Sequence, residues 1–193
     1  MMSAGIFGCM CTPGQANPVP EDAVFAVDNG RFGKGWPGPD KYLQWLETFT
    51  PIADRCAFVV APDVPFDMAA TLELSAPYLP IIQGMGFPVA LALQNGAEYL
   101  RVPYPKIDAV FIGGDTEWKK SPAAVAFIRE ANELGKWSHV GRVNRDGRYR
   151  FFAGAGARSC DGTTFTYGPD LHSTRLARLR EQLEARGVQS LLF

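Results

Sequence analysis

Cysteine and histidine are scarce in this chain, with four cysteines (Cys9, Cys11, Cys56, Cys160) and two histidines among 193 residues. Cys9-Met10-Cys11 is a lone C-x-C with no second pair and no histidine beside it, so the spacing of a zinc site is missing and no metal is expected. Buried free thiols in a reducing cytoplasm are the expectation instead. No apolar run approaches the roughly 18 residues of a membrane span, and the N-terminus lacks a basic region followed by an apolar one. No membrane partner and no signal peptide are therefore expected. Internal repeats, low-complexity tracts and a second-domain break are absent as well. A net charge of −1 argues against bulk electrostatic capture of nucleic acid.

What is present suits one globular domain over residues 1–193, with 47% hydrophobic and 20% charged residues. Charge is unevenly spread. Residues 1–140 carry 10 Lys/Arg against 15 Asp/Glu, and residues 141–193 carry 9 Arg against 5 acids. A basic face that meets backbone phosphates and a solvated helix surface both explain the C-terminal excess.

The strongest pattern is a repeated way of ending. Five short apolar runs each stop at a polar group or glycine: Val24-Phe-Ala-Val-Asp28, Phe58-Val-Val-Ala-Pro-Asp63, Val89-Ala-Leu-Ala-Leu-Gln94, Ala109-Val-Phe-Ile-Gly113-Gly114, and the segment 157–163 around Asp161. Residues 5–11 and 137–143 complete a set of seven strands. Helices are expected between them: one opened by Pro39-Asp40 and carrying Tyr42, Leu43, Trp45, Leu46 and Phe49; one capped by Asp67 and running toward Tyr78; one capped by Ser121-Pro122 and closed at Gly135; and a last one from about 169 to 186 with a Leu176, Leu179, Leu183 stripe. Strands alternating with helices predict an α/β fold with a parallel sheet, specifically a small (β/α) TIM-like barrel that is minimal or lacks a strand. Such sheets gather ligands at the C-terminal ends of their strands, so the five endings predict one shared site.

Within that site Asp28 and Asp161 can act as an acid/base and a nucleophile. Asp63, Gln94 and the backbone of Gly113 and Gly114 offer acceptors and donors that complement a guanine-like edge. Phe32, in the glycine-rich loop after Asp28, either stacks on a planar ring or packs its own loop.

These residues resemble the tRNA-guanine transglycosylases, and more closely their short phage relatives, the DNA-guanine transglycosylases. The resemblance runs from about residue 24 to 163. It is carried by Val27-Asp28-Asn-Gly-Arg-Phe32, Ala61-Pro-Asp63-Val-Pro65, Gln94-Asn-Gly96, Ile112-Gly-Gly-Asp-Thr-Glu-Trp-Lys119, His139-Val-Gly-Arg-Val-Asn144 and Ser159-Cys-Asp161-Gly-Thr163. Each motif is short; their shared order makes them specific. The resemblance implies a glycosyltransferase in a (β/α) barrel that exchanges guanine in a nucleic acid for a 7-deazaguanine base through a covalent glycosyl–enzyme intermediate. Asp161 is implied as nucleophile on C1′, Asp28 as the acid/base, and Asp63, Gln94, Gly113 and Gly114, with Phe32, as the base-binding set. Lys119, Arg142, Arg145 and Arg148 are candidates for phosphate contacts that offset the cost of unstacking the target nucleotide, with a structural role open for each. No cofactor is implied, and a phage gene product would work in the cytoplasm of its bacterial host.

Two departures from the family pattern bear on the substrate and on the hydrogen bonding beside the acid/base. The tRNA enzymes carry a Cys/His zinc site after the last barrel strand, whereas this chain has no cysteine beyond Cys160, so neither zinc nor the tRNA-gripping subdomain is expected. Asn29 stands where those enzymes have Ser. The first departure favours DNA over tRNA as partner. The rival readings are a tRNA enzyme working with a partner subunit that supplies the missing surface, a nucleoside or glycoside hydrolase using the same Asp pair, and a non-catalytic nucleotide-binding or assembly module; whether a partner protein or a homo-oligomer is involved stays open.

Overall fold

The computed structural model describes residues 8–15, 18–33 and 35–163, together with some positions between 174 and 185 and residues 191–192. Among the described residues eight strands form one sheet in strict sequence order, and every neighbouring pair is parallel. They are β1 (Cys9–Cys11), β2 (Phe25–Val27), β3 (Cys56–Val60), β4 (Val89–Leu93), β5 (Ala109–Ile112), β6 (Trp137–Val140), β7 (Ser159–Cys160) and β8 (Leu191–Leu192). Among the described residues the α-helices include α1 (Pro39–Glu47), α2 (Met68–Ser75), α3 (Tyr78–Gly84), α4 (Thr116–Lys119), α5 (Pro122–Glu133) and α6 (Asp146–Ala155), and positions 174, 175, 177, 178, 181, 182 and 184, within the expected last helix, are helical as well. None is long and apolar enough to cross a membrane.

Alternation along the strands sorts side chains into two layers. Phe25, Val27, Val59, Val89, Leu91, Leu93, Val110, Ile112 and Val140 point outward into the core shared with the helices. Ala26, Phe58, Val60, Ala90, Ala92 and Ala109 point to the other face, where Met10, Phe111 and Trp137 join them. On that inner face residues of distant strands meet. Phe58 of β3 lies 6.5 Å from Trp137 and 5.0 Å from His139, both of β6. A flat sheet would hold β3 and β6 three strand spacings apart, about 14 Å, so this contact requires the sheet to curl. Large rings from β3, β5 and β6 fill the space that alanines of β2 and β4 leave, the complementarity a curled sheet needs to pack its interior. The architecture is thus α/β, with a curled parallel sheet wrapped by helices, and it is compatible with a TIM-like barrel.

Most local expectations are met. Asp67 caps α2 by accepting from Ala70 N at 3.0 Å, Ser121 caps α5 by accepting from Ala124 N at 3.2 Å, and Gly135 beyond α5 takes φ +70°. Tyr42 and Leu46 bury the inner face of α1. Three details differ. The helix from Asp67 breaks at Ala76-Pro77 into α2 and α3, because proline supplies no N–H to continue the ladder. The Arg-rich segment before Asp161 is a helix, α6, with Tyr149, Phe152 and Ala153 buried along one side. An eighth strand, β8, adds to the seven expected and pairs with β7 through Ser159↔Leu191 and Cys160↔Leu192. The expected leucine stripe at 176, 179 and 183 lies outside the described residues.

Candidate active site

The ladders hold the site residues rigidly. Just past each strand the backbone keeps bonding to its neighbour: Asp28 N to Cys11 O at 2.9 Å, Gly113 N to Leu93 O at 2.9 Å, Gly141 N to Ile112 O at 3.2 Å, and Asp161 N to Val140 O at 3.2 Å. Asp28, two residues beyond the inward-facing Ala26, and Asp161, bonded to His139 of β6, fall on the inner face of the sheet. Asp28, Asp63, Gln94, Gly113 and Asp161 line a single cleft at this edge, joined by Phe32, Lys119, Arg142 and Arg148. The five strand endings line one cleft.

Asp28 lines this cleft just past β2. Its Oδ1 accepts from Gly30 N at 3.1 Å. Loss of water pushes its carboxyl up to about 6, with the nearby Asp161 and Asp63 charges adding to the effect and the Gly30 N–H opposing it. That places Asp28 where a group can both give and take a proton near neutral pH.

Asp161 is held differently. Its Oδ1 accepts from His139 Nε2 at 2.9 Å and from the backbone N of Arg142 at 3.2 Å. Its side chain keeps 21% of its surface accessible, whereas that of His139 is fully buried. Two acids of the same type therefore face one cleft in unlike settings, one poorly solvated and one oriented by two donors.

Between them runs a polar chain that the sequence did not foretell. The buried amide of Asn29 donates to Ala61 O at 2.8 Å and to Asp63 Oδ1 at 2.9 Å, and Gln94 Nε2 donates to Asp63 Oδ2 at 2.5 Å. Gln94 Oε1 then accepts from Gly114 N at 2.7 Å and Phe66 N at 3.0 Å. The expected base-reading groups thus contact one another. Burial raises the Asp63 carboxyl, and the Asn29 and Gln94 amides counter that. Each Asp63 oxygen retains a second lone pair and Gln94 Nε2 a second hydrogen, so the array can still take a ligand edge. Gly113 is needed here, since a Cβ would lie 2.5 Å from Gln94 Nε2.

The cations fall into two groups. Lys119 does not sit on an outer face: it is 3% exposed, donates to Gly141 O at 2.6 Å, and burial lowers it to about 8, with Arg142 adding to the effect. Its charge is directed inward to the Asp161 side of the cleft rather than to a surface phosphate. Arg142, at φ +57°, donates to Gly114 O at 2.5 Å and stacks its guanidinium 3.7 Å above the ring of Phe32. Phe32 is 54% exposed and meets Phe66 edge-on at 5.9 Å. Arg148 reaches the cleft from α6, and Arg145, just before that helix, is exposed and does not line it. Among the described residues no group of three His, Cys, Asp or Glu side chains is placed to hold a metal ion.

Sequence reasoning passed over His139, Ser159 and the bridging role of Asn29. A signal for the first two existed: His139 and Ser159 precede Gly141 and Asp161 by two residues, the spacing that puts side chains on the same face of a strand. No protein-family model and no curated protein matches this chain.

Proposed function

We propose that the chain is a guanine transglycosylase acting on nucleic acid, with DNA favoured over tRNA, that replaces guanine by a 7-deazaguanine base. The observation that carries the reading is the pairing at one strand edge of a carboxyl raised to about 6, Asp28, with an oriented, accessible carboxylate, Asp161, beside the Asp63–Gln94–Gly114 array.

In the first half-reaction an Asp161 oxygen attacks C1′ of the target nucleotide. The C1′–N9 bond breaks, its electron pair goes to the purine, and Asp28 supplies the proton that lets guanine leave neutral. In the second, ionised Asp28 takes the N9 proton of the incoming base. That nitrogen attacks C1′, and Asp161 departs as carboxylate. Two displacements give net retention and split one hard step into two easier ones. Asp63 accepts the N1–H and N2–H donors of either base. A flipped-out nucleotide meets Phe32 at the mouth, where a ring can stack. Arg148 and Arg142, which line the same cleft, are proposed as the cations for its phosphates.

Exchange of labelled guanine, run side by side with duplex DNA and tRNA, tests the proposal. Exchange into DNA that is lost in Asp161→Asn is the expected result. Exchange into tRNA alone would move the substrate to tRNA, and guanine release without exchange would make the chain a hydrolase.

A further inference from the structure

A charged-type ring at the centre of an apolar interior needs a reason. His139 is fully buried on β6, stacked on Phe111 at 4.9 Å and 5.0 Å from Phe58. Both of its nitrogens are engaged: Nδ1 lies 2.8 Å from Ser159 Oγ, and Nε2 lies 2.9 Å from Asp161 Oδ1. The direction of these bonds follows from the far end of the chain. Trp137 Nε1, which only donates, lies 2.7 Å from the same Ser159 Oγ. Ser159 Oγ therefore accepts from Trp137, and its own hydrogen is best placed on His139 Nδ1. With Nδ1 accepting, the ring proton sits on Nε2 and is donated to Asp161.

We infer that His139 is a positioning residue for Asp161, its tautomer fixed by Ser159 and Trp137. The inference deepens the transglycosylase reading and rests on it for its kinetic consequence. Both N–H donors, His139 Nε2 and Arg142 N, fall on Oδ1. Among the described residues Oδ2 carries no hydrogen bond, which makes it the oxygen that attacks C1′. When the C1′–Oδ2 bond breaks in the second half-reaction, negative charge returns to the carboxylate and the Nε2–H donor stabilises it. No proton moves; the histidine orients and stabilises, in the manner of partners that hold a reacting group in place.

The chain has only two histidines, His139 and His172, so nitrogen-15 NMR of histidine-labelled protein resolves them, with His139→Gln giving the assignment. The expected spectrum shows His139 Nδ1 as an unprotonated acceptor nitrogen and Nε2 as a protonated one. Ser159→Ala should disturb the first signal and Asp161→Ala the second. A proton on Nδ1 in the wild-type protein would overturn the inference, whatever the protein's activity.

Kinetics supply the second arm. His139→Phe keeps a ring between Phe58 and Phe111 but removes the donor, and is expected to lower the kcat of exchange by about 100-fold with KM for the free base unchanged. His139→Gln, which keeps an N–H within reach of Asp161, should recover part of that loss. Equal losses in both variants, or a change confined to KM, would contradict the positioning role. Should wild-type protein show the expected tautomer yet exchange no base, the transglycosylase reading fails and the Ser159–His139–Asp161 relay stands.

Discussion

Asp28 carries the most consequential single-residue chemistry. Its folded-state carboxyl titrates near 6, above the ordinary carboxylate range, because burial disfavours its charge. The folded state thus holds that proton more tightly than the unfolded chain does. The stabilising contribution is fully present below the unfolded carboxylate range and is gone once pH rises past about 6. Above that pH the fold carries an ionised, poorly solvated acid. Asp28→Asn keeps an oxygen for the Gly30 N–H without the charge. We expect it to stabilise the protein by about 1–3 kcal/mol at pH 8, with the gain shrinking toward pH 4, while exchange is lost. Urea unfolding at the two pH values checks this; equal effects at both would mean that Asp28 is well solvated. Asn29 makes the complementary point. As a residue after a strand it reads as a turn former, but its amide is buried and ties the end of β2 to Ala61 and Asp63 just past β3. Local sequence cannot reveal that bond, because its two partners are 32 and 34 residues away.

At the scale of elements, the strand ends do the positioning and their glycines make room. A Cβ on Gly113 would press on the Gln94 amide at 2.5 Å, and one on Gly114 would meet the Trp118 ring at 2.3 Å from a backbone at φ +41°. Gly113→Ala should push Gln94 off Asp63 and Gly114 N. We expect a loss of about 1–3 kcal/mol in stability and a raised KM for the free base, with kcat less affected. Steady-state exchange and thermal unfolding read the two effects, and an unchanged KM would separate Gln94 from base recognition. The strand endings were legible because an apolar run stopping at an acid or glycine is a local signal. The helix caps were legible for the same reason, at Asp67 and at Ser121-Pro122. α6 was not: Asp146-Gly-Arg-Tyr-Arg-Phe-Phe-Ala-Gly-Ala155 contains two glycines and no side-chain cap, and only the spacing of Tyr149, Phe152 and Ala153 betrays its buried face. β8 escaped notice because it pairs through only two residues, after a stretch whose leucine spacing favours helix.

For the molecule as a whole, curling brings β2, β3, β6 and β7 around one axis, which is how residues from 28 to 161 share a cleft. β8 covers the edge of β7, the strand that delivers Asp161. Cys160, next to that acid, is 1% exposed and its thiol is pushed up by burial. Removing residues 190–193 should leave β7 as an open edge and make Cys160 reactive toward a thiol reagent that the intact chain resists. Equal reactivity in both would show that β8 does not protect β7. The central claim is that Asp161 forms a bond to C1′, and mass spectrometry tests it most directly. The protein would be mixed with a guanine-containing DNA duplex without added base, denatured and digested. We expect a nucleic-acid adduct on the peptide containing Asp161, absent from Asp161→Asn. Release of guanine with no adduct on that peptide would contradict the account, because the base would then leave without a covalent enzyme intermediate.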